Sequence, residues 1–165
     1  MRQNDIVTLF DFNYWANRQL LAATAAATAA QFVAPPQFTY RGLRGTLVHT
    51  LDVEWSWRIR VRGAHPELWD KSLADDDYAT VAALAEHWAR DETEMRSWLE
   101  GLSDAELGEV ANLGNGDRFP LWYYLVHIVT HSEPQRRDAA LILNALGHQV
   151  PDLEFLYYAD TLAAR

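Results

Sequence analysis

Residues 123–148 read YYLVHIVTHSEPQRRDAALILNALGH, and apolar residues recur through this stretch at helical spacing. Pro120 stands just before it, where a first-turn proline is tolerated, and Gly147 stands where a C-terminal glycine cap is expected. The stretch therefore predicts a long helix from about Pro120 to Leu146.

Three further segments carry helical spacing, and turn residues separate them. The first runs from about Asp5 to Ala29 and the second from about Gly42 to Arg62. The third is expected to start at the acid cluster 75–77, because carboxylates cap the free N–H groups of a first turn. The turn signals GLSD and GNGD, between residues 101 and 119, predict an irregular connection with at most a short helical turn.

Four helices without a convincing alternating strand predict an all-α fold, a four-helix bundle of antiparallel type. Two of its connections exceed ten residues, which leaves room for a crossover. The length of 165 residues predicts a single domain, 1–165. The C-terminal stretch HQVPDLEFLYYADTLAAR is too apolar to remain free, so we expect it to pack on the bundle or on a partner subunit.

Composition limits the partners and the chemistry. A formal net charge of −9 disfavours binding to nucleic acid or to an anionic membrane surface. The N-terminal sequence lacks the pattern of a signal peptide, and no apolar run approaches membrane-spanning length, which predicts a cytoplasmic protein. The chain has no cysteine, so any thiol chemistry requires a thiol from a second substrate.

A row of polar side chains on the last predicted helix is the main candidate site. His127, His131 and Gln135 are four residues apart and so share one helix face. Two histidines in this arrangement are a recurrent clamp for a divalent ion, and His49, in the apolar stretch TLVHTLDVEW, is the third donor we expect. The pattern alone is weak, because core histidines satisfied by hydrogen bonds are more common.

Four stretches in order resemble one family. They are LFDFNYWANRQLL, GTLVHTLDVEWSW, PLWYYLVHIVTH and ALGHQVPDLEFLYY. Together they resemble the DinB (damage-inducible, YfiT-like) family of four-helix-bundle metalloproteins, and the likeness spans nearly the whole chain. The third predicted helix is the least diagnostic part.

The resemblance implies a divalent metal, zinc or nickel, held by one histidine of the second helix and two of the fourth. His49 matches the first ligand and His131 the second, while Gln135 stands where the last histidine is expected. Arg136 matches an arginine that follows the ligands, and His127 matches a histidine one turn before them.

Gln135 is the main departure from this pattern, because an amide oxygen is a weaker ligand for zinc or nickel than imidazole. The ion is therefore bound weakly, bound one turn away through His127 and His131, or absent. Asp52 and Asp138 are the expected partners of the outer N–H groups of the bound imidazoles.

The resemblance implies a metal-dependent enzyme that uses a low-molecular-weight thiol, as an S-transferase or an isomerase. Trp57, Trp122 and Tyr124 are then expected to wall the substrate pocket. The alternative is a non-catalytic bundle that binds a small molecule or a protein. Seven Trp, seven Tyr and the apolar tail also predict a homodimer, since they suggest surface to bury.

Overall fold

The computed structural model describes residues 1–111, 113, 116 and 118–164. Within these residues the chain forms four long and three short α-helices and no β-strand: α1 (Gln3–Thr24), α2 (Ala29–Phe32), α3 (Leu43–Val61), α4 (Val81–Glu100), α5 (Asp104–Gly108), α6 (Leu121–Ala145) and α7 (Phe155–Ala163). The long helices form a closed ring in which α1 contacts α4 and α6, and α3 contacts the same two helices. The predicted all-α four-helix bundle is confirmed.

Ion pairs establish that α1 and α4 run in opposite directions. Asp11 pairs with Arg96, and Arg18, two turns further along α1, pairs with Glu92, which is earlier in α4. These two helices therefore have the antiparallel relationship that the sequence predicts.

Helices α3 and α4, by contrast, run in the same direction. Arg58 pairs with Asp91 at 2.5 Å, and Arg62, one turn further along α3, pairs with Glu94, which is also later in α4. The antiparallel arrangement therefore does not extend to this pair, which is joined by a long connection of the kind that leaves room for a crossover. Residues 62–80 form the crossover, because a long connection is needed to bring the chain back along the bundle before α4 begins.

The end of the first helix and the start of the third differ from the prediction. Helix α1 ends at Thr24 rather than near Ala29, because the Thr28 hydroxyl accepts the Gln31 N–H at 3.2 Å and starts the separate helix α2. Likewise α4 starts at Val81, where the Thr80 hydroxyl accepts the N–H of Ala83.

The acid cluster 75–77 forms a 3-10 turn instead of the start of α4. This turn docks on α3. A Cβ atom on Gly45 would lie only 2.8 Å from the Asp75 Oδ2 atom, so the Asp75 side chain lies directly against α3 at this glycine. Asp76 adds an ion pair with Arg44 at 2.8 Å.

The C-terminal segment packs on the bundle, as expected. The Phe12 ring of α1 contacts the rings of Phe155 and Tyr158, with centroids 5.3 and 5.9 Å apart. Trp15, on the same helix, contacts Tyr158 at 5.5 Å. No helix in the described part of the chain is long and apolar enough to cross a membrane.

Candidate metal centre

Packing of α3 on α6 brings His49 and His131 side by side. Their ring centroids are 5.4 Å apart, with the ring planes at 71°, and both residues are half-buried. His127, one turn earlier on α6, lies 5.8 Å from His131 and is exposed. The structure therefore brings together two of the expected ligands, His49 and His131, and leaves the His127 imidazole on the exposed side of this pair.

The surroundings of both paired histidines favour the neutral form, which has a lone pair free to bind a metal. Burial lowers the pKa of His49, Arg41 lowers it further, and the charge of Asp52 opposes them. Burial also lowers the pKa of His131, with smaller contributions from His49 and His127. Desolvation thus favours neutral imidazoles at neutral pH.

One atom of the pair lacks a partner. The Nδ1 atom of His131 is buried and forms no hydrogen bond in the described part of the chain. A buried polar nitrogen without a partner costs free energy, so an orphaned atom of this kind is consistent with a missing ligand.

The side chains available as metal ligands form a weaker ligand set than that of a typical zinc site. The described residues contain no group of three or more His, Cys, Asp or Glu side chains arranged to hold a metal ion. Gln135 is half-buried one turn beyond His131, on the same face of α6. The residues therefore fit a metal site with two imidazole ligands, in which an amide or water oxygen would have to complete the coordination.

The two expected outer carboxylates are placed differently. Asp52 lies on α3 near His49, but its Oδ1 atom accepts the backbone N–H of Leu73 at 2.7 Å and so anchors the crossover segment. Asp138 is half-buried, and helical spacing puts it on the same face of α6 as the histidines. Neither carboxylate is hydrogen bonded to a histidine ring within the described residues.

Two of the three predicted pocket aromatics stack on each other, and one of them contacts His127. Trp57 stacks on Tyr124 with centroids 5.6 Å apart, and it makes a T-shaped contact with His127, with centroids 5.2 Å apart. The Tyr124 hydroxyl is buried and has no hydrogen-bond partner among the described residues. Trp57 and Tyr124 thus form an aromatic wall that ends at His127.

Trp122 does not join this wall. It precedes His131 by nine residues, which is two and a half helical turns and puts it on the opposite side of α6. There it packs against the apolar core that α1, α4 and α6 share.

A buried carboxylate beside the histidines was not singled out in the sequence. Glu54 is 1% exposed, and its oxygens accept hydrogen bonds from Asn13 (2.8 Å), Asn17 (3.0 Å), Trp88 (2.8 Å) and Ser132 (2.8 Å). The four donors come from α1, α4 and α6. Glu54 therefore joins all four long helices at one point.

Arg136 completes this polar core from the α6 side. Its NH1 atom donates to Asn13 Oδ1 at 2.6 Å and to Asn17 Oδ1 at 3.1 Å. One signal in the sequence does indicate the network: Glu54 shares an apolar helical stripe with Leu47 and Leu51, which is an unusual place for a surface acid.

The fold and the histidine pair define a class of protein, a four-helix bundle with a polar site between its second and fourth long helices. The chain matches the DinB family over residues 1–163, and it belongs to that family. The resemblance seen in the sequence is therefore confirmed.

A solved structure shares the fold. A conserved protein from Enterococcus faecalis superposes with a TM-score of 0.65 at 14% sequence identity, over 82% of this chain and 92% of that chain. At this identity the likeness concerns the fold alone. No curated protein matches the chain.

Proposed function

We propose that this member of the DinB family is a divalent-metal-dependent enzyme. His49 and His131 hold a zinc or nickel ion, and the next donor is the Gln135 amide or His127. The observation that supports this best is the pair of imidazole rings with centroids 5.4 Å apart, one of which has a buried nitrogen without a partner among the described residues. A bound ion there satisfies that nitrogen.

The proposed reaction is S-transfer or isomerisation with a low-molecular-weight thiol. A divalent ion lowers the pKa of a bound thiol or water and so supplies the nucleophile. The chain has no cysteine, and the thiol is therefore the second substrate. Trp57 and Tyr124 flank the substrate, and the unpartnered Tyr124 hydroxyl donates a hydrogen bond to it.

The alternative function is a non-catalytic bundle that binds a small molecule or a protein through the same site. Two observations favour it: the amide of Gln135 replaces a stronger ligand, and no group of three acidic or imidazole side chains forms a metal site in the described residues. Tight metal binding is not required for this function.

Metal content separates the two functions. The protein is expressed with added zinc or nickel, purified without chelators and analysed by mass spectrometry for metals. About one ion per chain in the wild type, lost in His49→Ala, supports the enzyme. The control His65→Asn removes an exposed loop histidine and leaves the metal content unchanged. An absence of metal in the wild type and in Gln135→His supports the binding module.

The tail also supports the proposal of a homodimer. Leu156 is 74% exposed and Tyr157 is 49% exposed, although both belong to the segment that packs on α1. A symmetric contact through this apolar surface buries side chains that water otherwise surrounds.

A further inference from the structure

An open groove lies on the other side of α6 from the candidate metal centre. It has a volume of about 630 Å³ and runs between α1, α6 and residues 151–156. Its α6 residues include Val129, Arg136 and Ala140, which helical geometry of about 100° per residue puts on the face opposite His131. The groove is therefore separate from the metal centre, and its occupant does not depend on the function proposed above.

The walls of the groove are mostly apolar. Leu9 and Phe12 contribute from α1, and Val129 contributes from α6. On the tail side the Phe155 ring makes a T-shaped contact with Phe12, with centroids 5.3 Å apart. The volume falls in the range of roughly 300–1,000 Å³ that is typical of small-molecule sites. The groove therefore has room for an apolar body such as an alkyl chain.

The exposed charged groups of the lining are mostly acids. Glu133 comes from α6, whereas Asp152 and Glu154 come from the tail, so carboxylates flank the groove on two sides. Glu133 forms an ion pair with Arg137, and the Asp152 side chain accepts the backbone N–H of Glu154 at 3.0 Å. Within the described residues neither tail carboxylate forms an ion pair.

The remaining cation of the lining, Arg136, does not offset these acids. The residue is 2% exposed, and its NH1 atom donates to Asn13 and Asn17, whose amides donate to Glu54. The charge of Arg136 is thus balanced inside the core by Glu54. The groove keeps an excess of negative charge, on a chain whose formal net charge is −9. Such a surface attracts cations and repels anions.

We propose that this groove binds an organic monocation, an ammonium group on an apolar chain. The chain lies against Leu9, Phe12 and Val129, where it leaves water. The ammonium group stays at the rim, where the exposed carboxylates of Asp152 and Glu154 supply the opposite charge. Because water still reaches the rim, the cation avoids the cost of full burial.

Calorimetric titration of the full chain with octylammonium, octan-1-ol and octanoate tests the proposal. The three probes have apolar chains of similar size and differ in the charge of the head group. At low salt we expect octylammonium to bind at least about fivefold more tightly than octan-1-ol, and octanoate to bind most weakly. Equal affinities, or no binding of octylammonium, overturn the proposal.

Two variants locate the binding site. Ala140→Phe adds a ring to the groove wall without removing a hydrogen bond, and we expect it to weaken octylammonium binding by about tenfold. The control Leu141→Phe adds a ring at the neighbouring position, which is 52% exposed, and leaves the affinity unchanged. Unchanged binding to Ala140→Phe places the probe elsewhere and overturns the proposal.

A second pair of variants tests the head group. Glu154→Gln removes one rim charge, and we expect it to weaken octylammonium binding by about threefold and to leave octan-1-ol binding unchanged. The control Glu100→Gln removes the same charge from an exposed position of α4 outside the lining, and leaves both affinities unchanged. Equal losses in the two variants would show that the overall charge of the chain attracts the probe, which overturns the proposal. Should Ala140→Phe fail to fold, this comparison still decides.

A second copy of the chain is the competing occupant, because Leu156 lines the groove and also belongs to the tail surface proposed for the dimer. We expect the sedimenting mass to be the same with and without saturating octylammonium. A dimer that the probe dissociates would show that the second copy occupies the groove, and this result overturns the proposal.

Discussion

Ser132 Oγ donates a hydrogen bond of 2.8 Å to Glu54 Oε1, and this bond joins the two helices that carry the histidine pair. Ser132 directly follows His131 on α6, and His49 precedes Glu54 by five residues on α3. The bond therefore holds the register in which the two imidazoles meet.

Replacing Glu54 with alanine is expected to lower the free energy of unfolding by about 3 kcal/mol or more. The change leaves buried donors on Asn13, Asn17, Trp88 and Ser132 without their acceptor. Urea denaturation followed by circular dichroism measures the loss.

A matched control is Glu94→Ala, which removes an acid with a 60% exposed side chain that pairs with Arg62. We expect this change to cost less than about 1 kcal/mol, because exposed ion pairs contribute little. Similar losses for Glu54→Ala and Glu94→Ala would contradict the central role of Glu54.

Restoring an imidazole by Gln135→His is expected to raise the affinity for zinc or nickel by about tenfold or more, which corresponds to about 1.4 kcal/mol. Position 135 is half-buried one turn beyond His131, so the new ring lies on the histidine face of α6. Titration with zinc in the presence of a competing chelator measures the change. His49→Ala should abolish binding in both backgrounds.

The same titration distinguishes the two ligand sets. If the ion uses His127 with His131, Gln135→His changes the affinity little and His127→Ala is the damaging substitution. No response in any variant, Gln135→His included, would show that the alignment of α6 with the family is wrong.

The buried Asp91 carboxyl is expected to make stability fall as pH rises from about 4 to about 6. Burial raises its pKa to about 6, and this effect outweighs the opposing ion pair with Arg58. In this pH window the folded protein holds a proton that the unfolded chain releases, so the unfolded state is favoured as pH increases. Two pKa units correspond to about 3 kcal/mol.

Asp91→Asn provides the comparison, because its side chain does not titrate. Urea denaturation of both proteins at a series of pH values isolates the contribution of Asp91. The stability of the wild type relative to the variant should decrease between pH 4 and pH 7. An increase would mean that the ion pair with Arg58 outweighs burial.

A homodimer is expected to sediment at about twice the chain mass of 18.8 kDa. Leu156→Glu puts a charge at a 74% exposed apolar position of the tail and should shift the population to monomer, because the charge loses its hydration in the contact. Analytical ultracentrifugation at micromolar concentration measures both. A wild type that sediments only as a monomer would contradict the dimer.

Much of the fold was predictable because helical periodicity is a local property. Apolar spacing alone predicted the four long helices, and the cap signals placed the ends of α3 and α6 within one residue of those observed. The end of α1 was predicted too late, because the alanine-rich run favours a helix beyond Thr24 and hides the cap at Thr28. The start of α4 was predicted too early, because the acid cluster 75–77 looked as suitable a cap as Thr80.

The residues of the candidate site were also predicted only in part. The row of His127, His131 and Gln135 followed from their spacing on one helix. The position of Trp122 was predicted wrongly. Trp122 lies on the predicted helix, but its side chain is on the face of α6 that points away from the histidines. His49 was expected as a further donor from its place in an apolar helical stretch, and the resemblance to the family supported its pairing with His131.

The sequence by itself determined the helices, the faces they present and the membership of the DinB family, because these depend on residue type and short spacing. Only the tertiary structure decided that α3 and α4 run in parallel, that Glu54 accepts hydrogen bonds from three other helices, and that Asn13 and Asn17 link Glu54 to Arg136. These features depend on how helices distant in sequence pack against one another. Their relative direction and rotation are set by the whole core, and no local pattern encodes them.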